Sequence, residues 1–80
     1  MYQPGTRFEV KLRIKSGDQE FAPGLKGTIL GGIPKMVGKA YGVKFDDGRI
    51  AEIHMATMNN QAYIITPEGE RIDPKSFWKK

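Results

Sequence analysis

Residues 7–15 have the sequence Arg-Phe-Glu-Val-Lys-Leu-Arg-Ile-Lys, in which charged and apolar side chains alternate without a break. A period of two residues over this length is typical of a β-strand with one buried face and one solvent-exposed face. The stretch therefore predicts a single strand that buries its apolar residues, Leu12 among them. Its exposed face carries four basic side chains, opposed only by Glu9: Arg7, Lys11, Arg13 and Lys15.

The composition limits the classes of protein to which the chain can belong. Eighty residues predict one domain over 1–80, with its core at about 5–66 and a C-terminal extension at 67–80. The chain has no cysteine and a single histidine, so we expect no disulfide, no zinc site and no cofactor. Neither a signal peptide nor an apolar run of about 20 residues is visible, which predicts a cytoplasmic protein without a membrane partner. Because so small a core is near the limit for independent folding, assembly of several copies is left open.

The net charge of +4 is unevenly distributed along the chain. Residues 7–44 carry eight basic and three acidic side chains, residues 45–73 carry two and six, and residues 74–80 add three lysines. A basic first half can attract phosphate or an acidic partner, although the same distribution also fits an ordinary solvated surface.

Turn residues divide the rest of the chain into further short strands. We predict strands at 25–30, at 40–45, after the Asp46–Gly48 turn and at 62–66, with a short return at 71–72. Gly27 inside the second strand predicts a bulge or a close approach of two backbones. Residues 55–60 predict one helical turn. Asp73-Pro74 predicts a second turn through Phe77, after which Trp78 is expected to pack back onto the domain.

The turn Asp46-Asp47-Gly48 leaves two registers open for the hairpin around it. A three-residue loop pairs Val43 with Ala51 and directs Glu52 outward, whereas a two-residue loop places Val43 beside Glu52 and buries that carboxylate. Because burial of an unpaired charge is costly, we favour the three-residue loop.

Five short strands and little helix predict an all-β fold. The expected architecture is a single small five-stranded Src-homology-like (SH3-like) barrel with a short C-terminal hairpin and a helical turn. Residues 24–29 (GLKGTI) and 41–48 (YGVKFDDG) resemble barrels of the Tudor and KOW kind, in which a G-x-x-G-x-V/I strand precedes Y-x-V-x-F-x-D-G. The resemblance covers about half of the chain and implies the fold, but says little about function.

The basic residues predict a nucleic-acid-binding face, which a resemblance to KOW barrels also implies. The candidate phosphate contacts are Arg7, Lys11, Arg13, Lys15, Lys26, Lys35 and Lys39. The alternative is a protein-binding module that acts through the glycine-rich segment 31–39, predicted to be a flexible loop that displays Ile33, Met36 and Val37. An acidic protein surface would be attracted by the same cations, so both kinds of partner stay open.

The sequence offers no catalytic residues and no metal ligands, since its hydroxyls have no histidine at a telling spacing and Asp46-Asp47-Gly48 is turn chemistry. A non-enzymatic function is therefore expected. A weaker resemblance points elsewhere: residues 12–17 (LRIKSG) with Gly27-Thr28-Ile29 resemble the plasmid-borne type II dihydrofolate reductases, barrels that form tetramers around one active-site pore. It implies Lys15 and residues 52–54 as site residues. This chain has Glu52 and His54 where that family has Gln and Tyr, and a carboxylate there repels anionic ligands.

Overall fold

The structure is a computed structural model that describes residues 2–34 and 38–74. Within these residues the chain is mostly β, as predicted. The strands are β1 (Arg7–Val10), β2 (Ile14–Ser16), β3 (Gln19–Phe21), β4 (Lys26–Pro34), β5 (Lys39–Phe45), β6 (Ile50–His54), β7 (Ala62–Ile65) and β8 (Arg71–Ile72). A helix, α1 (Met55–Gln61), connects β6 to β7. No helix in the described part of the chain is long and apolar enough to cross a membrane.

Six strands form one antiparallel sheet in the order β6-β5-β4-β1-β7-β8, and β2 and β3 form a separate hairpin. The larger sheet is open, because its edge strands β6 and β8 do not pair with each other. The described residues thus contain more strands than the five predicted, and the sheet lacks the closure expected of a barrel.

The predicted nine-residue strand is broken after Val10, where β1 ends. The amides of Lys11 and Leu12 both donate to the carbonyl oxygen of Gln61, at 2.8 and 3.1 Å, which turns the chain away from the β1–β7 ladder. The prediction that Leu12 is buried is therefore wrong: its exposed fraction is 54%. The other apolar residues of the stretch are buried as predicted: Phe8, Val10 and Ile14.

The core lies between the inner face of the large sheet, the β2–β3 hairpin and α1. Twelve side chains form it: Phe8, Val10, Ile14, Phe21, Ile29, Tyr41, Val43, Phe45, Ile53, Met58, Ala62 and Ile64. The Phe8 ring meets the Phe45 ring edge-on at 5.4 Å, an arrangement that aromatic pairs favour. The hairpin is also held to β6, because the Ser16 hydroxyl donates to the Glu52 carbonyl oxygen at 2.8 Å.

The β5–β6 hairpin has the predicted three-residue loop. Val43 pairs with Ala51, Glu52 is exposed, and Gly48 has a φ of 96°, which favours glycine. The close approach predicted at Gly27 is also confirmed, since a Cβ there would lie 2.7 Å from Phe8 Cζ and 2.9 Å from the Lys44 carbonyl oxygen. The register shift between β4 and β5 lies further on, between Ile29 and Gly31.

The prediction of a flexible loop over residues 31–39 is wrong for the part that the structure describes. β4 continues to Pro34 and pairs with β5 from Lys39 onward. Gly31 is paired with Gly42 in this ladder. Because ladder hydrogen bonds join backbone groups, the two glycines can extend the hairpin although they have no side chains. Residues 35–37 lie outside the described residues.

The C-terminal part follows the predicted order with small differences. The helix α1 covers seven residues rather than one turn, and the predicted return strand is present as β8. The helical turn predicted through Phe77 and the packing expected for Trp78 lie outside the described residues.

Candidate nucleic-acid interface

One face of the six-stranded sheet points away from the core, and we call it the outer face. On β1 it carries Arg7 and Glu9, because Phe8 and Val10 point inward. Arg7 lies between Thr28 and Ile65, and Glu9 between Lys26 and Tyr63. Continuation of this register from β8 to β5 defines the outer face by the following residues: Arg7, Glu9, Lys26, Thr28, Lys44, Tyr63, Ile65 and Arg71.

Arg7 is fixed on the outer face by hydrogen bonds. Its two terminal nitrogens donate to the two carboxylate oxygens of Asp46, both at 2.7 Å, and Nη1 also donates to Thr28 Oγ1 at 2.9 Å. The hydrogen bond to Asp46 raises the pKa of Arg7 and lowers the pKa of Asp46, to which the positive charge of Lys26 also contributes. Arg7 is thus a cation whose charge is partly neutralised within the chain.

Tyr63 places an aromatic ring on the outer face, and two cations lie over it. Lys11 Nζ is 5.6 Å from the ring centroid and Arg71 Cζ is 5.4 Å from it, within the range of cation–π attraction. The bend after Val10 brings Lys11 there, and the pairing of Ile65 with Arg71 brings the guanidinium from β8. A half-buried ring beside two cations combines the stacking surface and the phosphate donors that single-stranded nucleic acids require.

Each of these two cations also has a carboxylate partner. Lys11 Nζ lies 2.7 Å from Asp73 Oδ2, and Arg71 Nη1 lies 3.3 Å from Glu9 Oε2. The hydrogen bond from Lys11 to Asp73 raises the pKa of the lysine, and the Coulomb attraction between the two groups adds to the shift. A phosphate that binds here has to replace these carboxylates.

The break in the first strand separates the predicted basic row into two groups. Arg7, Lys11 and Lys26 lie at the outer face, as above. Arg13 and Lys15 instead belong to the β2–β3 hairpin, where Lys15 faces Glu20 and Arg13 Nη1 lies 3.6 Å from Glu20 Oε1.

The remaining predicted contacts are Lys39, which begins β5, and Lys35, which lies outside the described residues. Among the described residues, no carboxylate lies within ion-pair distance of four lysines: Lys15, Lys26, Lys39 and Lys44. Lys26 and Lys44 are exposed on the outer face, so they can accept a phosphate without losing an internal ion pair.

The net charge of the protein does not come from the described residues. These contain nine basic and nine acidic side chains, so the excess of four positive charges in the chain equals the four lysines outside them: Lys35, Lys75, Lys79 and Lys80. Any nucleic-acid binding by the outer face therefore depends on the local arrangement of charge and not on a uniformly basic surface.

The predicted protein-binding segment is only partly described. Ile33 is half-buried, and Met36 and Val37 lie outside the described residues. Two other large apolar side chains in the described part of the sheet are exposed: Leu30, at 50%, and Ile50, at 62%, which is paired with Lys44 of the outer face. The exposure of Leu30 follows from the alternation of β4, in which Gly27 and Ile29 are buried.

The residues implied by the reductase resemblance do not share one surface. Ile53 is buried in the core with an exposed fraction of 2%, while Glu52 and His54 on either side of it are exposed. His54 Nδ1 accepts a hydrogen bond from the Ala56 amide at 3.2 Å and caps α1. No group of three or more His, Asp or Glu side chains that could hold a metal ion is present among residues 2–34 and 38–74.

Sequence reasoning missed Tyr63 and Arg71, although a signal for Tyr63 was present. The alternation over residues 62–65 places Ala62 and Ile64 inside and Tyr63 outside. Arg71 carried no such signal, because its position over the ring depends on the β7–β8 register. Comparison of the chain with protein-family models, curated proteins and solved structures finds no match.

Proposed function

We propose that this chain is a non-enzymatic module that binds single-stranded nucleic acid across its outer face. The observation that carries the proposal is the Tyr63 ring with Lys11 and Arg71 within 6 Å of its centroid. Stacking of one base on an aromatic side chain contributes about 1–3 kcal/mol and tolerates any base. Phosphates that flank the base draw Lys11 and Arg71 away from the ring through charge-assisted hydrogen bonds, which opens the face of the ring to the base.

A cationic path continues from Tyr63 across the sheet. Lys26 is aligned with Glu9 and Tyr63 on neighbouring strands, and Lys44 is aligned with Thr28 and Arg7. Neighbouring strands are about 4.8 Å apart, so a nucleic-acid strand that crosses the sheet from β8 to β5 passes a cation every one or two strands. Lys26 and Lys44, which have no carboxylate within ion-pair distance among the described residues, add to the salt-dependent part of the affinity.

We also propose that the fold is an open variant of the Src-homology-like barrel. The strand order supports this: β1 lies between β4 and β7, and a short helix precedes the last long strand. The β2–β3 hairpin covers the open side of the core through Phe21 and through the contact of Ser16 with β6. The OB-fold, another small and partly open barrel, binds oligonucleotides, and this analogy supports the proposed function.

The test is fluorescence anisotropy with a labelled single-stranded oligonucleotide of about 16 residues, near the upper site size of small barrels, at fixed salt. Tyr63→Ala should weaken binding about 5- to 150-fold, the equivalent of one lost stacking contact. Tyr63→Phe keeps the ring and is the matched control, so its affinity should stay within about twofold of the wild type. Equal affinities for the wild type and Tyr63→Ala would contradict the proposal.

An acidic protein surface is the competing partner, and salt dependence alone does not separate the two. Polyglutamate has the charge of a nucleic acid but no bases. If it displaces the oligonucleotide as well as unlabelled nucleic acid of equal charge does, base stacking contributes nothing and the protein partner becomes the better account. We expect polyglutamate to compete poorly with the oligonucleotide for binding to the wild-type protein.

A further inference from the structure

Two carboxylates occupy the places at which phosphates would bind beside Tyr63. Asp73 Oδ2 is 2.7 Å from Lys11 Nζ, and Glu9 Oε2 is 3.3 Å from Arg71 Nη1. One pair joins Glu9 of β1 to Arg71 of β8, and the other joins Lys11, directly after β1, to Asp73, directly after β8. The partners of each pair are 62 positions apart in the sequence. Both cations of the pairs lie over the same ring.

We infer that Glu9 and Asp73 are internal competitors of the nucleic-acid phosphates at the Tyr63 site. The inference rests on the proposed function and concerns the regulation of that site. In the free protein the two carboxylates hold Lys11 and Arg71 over the ring and neutralise them. On binding, a phosphate replaces the carboxylate as the partner of each cation.

The burial of the groups agrees with this exchange. The side chains of Lys11 and Asp73 are exposed by 26% and 30%, and Arg71 by 60%, whereas Glu9 is exposed by only 13%. A ligand can therefore reach both cations from solvent. Glu9 lies at the base of the site, where its charge acts on any phosphate bound to Arg71.

The inference predicts that removal of either carboxylate strengthens binding. Because solvent reaches the cation of each ion pair, each pair is weak, and the gain should be about two- to fivefold for Glu9→Gln and for Asp73→Asn. The matched control is Asp47→Asn, which removes one charge from a carboxylate bonded to Arg49 at 2.7 Å in the β5–β6 turn. Strands β4 and β1 separate β5 from β7, so at about 0.15 M salt the control should change affinity by less than about 1.5-fold.

The experiment measures oligonucleotide affinity for the wild type, Tyr63→Ala and the three carboxylate variants, after circular dichroism has shown that each is folded. Tighter binding by both Glu9→Gln and Asp73→Asn, beyond that of Asp47→Asn, supports the inference. If the wild type binds, Tyr63→Ala weakens binding and the two variants bind no more tightly than the control, the inference is wrong and the proposed function stands. If neither the wild type nor the Glu9→Gln/Asp73→Asn double variant binds, both are wrong.

Discussion

Phe21 stacks on Phe45 with ring centroids 3.8 Å apart and ring planes 12° from parallel. The guanidinium of Arg49 lies over the Phe21 ring at 4.4 Å, and its Nη1 donates to the Glu20 carbonyl oxygen at 3.0 Å. These contacts fix the β2–β3 hairpin against the end of the β5–β6 hairpin. Together with the buried side chain of Ile14 and the hydrogen bond from Ser16 to β6, the Phe21 ring holds the small hairpin in position.

The first prediction compares two large apolar residues of opposite burial. Phe21→Ala should lower the free energy of unfolding by about 3–5 kcal/mol, because it leaves a cavity in the core. Leu12→Ala is the control and should cost less than about 1 kcal/mol, since Leu12 is already 54% exposed. Urea unfolding followed by far-UV circular dichroism measures the free energy of unfolding of both variants. Equal losses would show that the hairpin is not packed as described.

The second prediction uses two glycines of the same strand. Gly27→Ala should be destabilising by about 1–3 kcal/mol, because the added Cβ would lie 2.9 Å from the backbone oxygen of Lys44. Gly31→Ala meets nothing within 4 Å and should change stability by less than about 1 kcal/mol. Thermal unfolding of the two variants checks this, and a Gly31→Ala variant that is the less stable of the two would refute the β4–β5 geometry.

The third prediction concerns acid stability through Arg7 and Asp46. The hydrogen bond from Arg7 holds the pKa of Asp46 below its ordinary value of 3.8. A carboxyl whose pKa is depressed in the folded state stabilises the fold above its ordinary pKa, and loses this effect as the pH falls through the folded-state pKa. Asp46→Asn should therefore lower the melting temperature at neutral pH, and the difference from the wild type should shrink below pH 3.8. A difference that stays constant down to about pH 2 would contradict the depressed pKa.

The sequence predicted those parts of the fold that local patterns determine. The pairing of Val43 with Ala51 followed from the cost of burying Glu52, and the close approach at Gly27 followed from the absence of a side chain in a strand. The break in the first strand could not be predicted from the local pattern. It accompanies two hydrogen bonds to the carbonyl oxygen of Gln61, which lies 49 and 50 positions further along the chain from Leu12 and Lys11. Alternation of charged and apolar residues indicates which side chains share one side of a strand, but it does not indicate where pairing with the neighbouring strand ends.

The same limit applies to the candidate site. The cations on β1 and β4 were visible as basic residues in a strand pattern, whereas the association of Lys11 and Arg71 with Tyr63 depends on two non-local pairings. Positions of charge along the chain thus predicted a basic face. They did not predict which cations carry internal partners, although those partners decide which cations are free for a ligand.

The last prediction separates the two groups of cations by the salt dependence of binding. Each phosphate contact to a single strand contributes about 0.7 to the slope of log affinity against log salt. The double variant Lys26→Met/Lys44→Met on the outer face should therefore reduce the slope by about 1.4. The matched double variant Arg13→Met/Lys15→Met removes the same charge from the β2–β3 hairpin, and because these residues do not lie on the outer face the slope should not change. Titrations of a labelled oligonucleotide at four or more salt concentrations measure both slopes. A reduced slope in the hairpin variant alone would place the phosphates along the β2–β3 hairpin and remove the outer face as the binding surface.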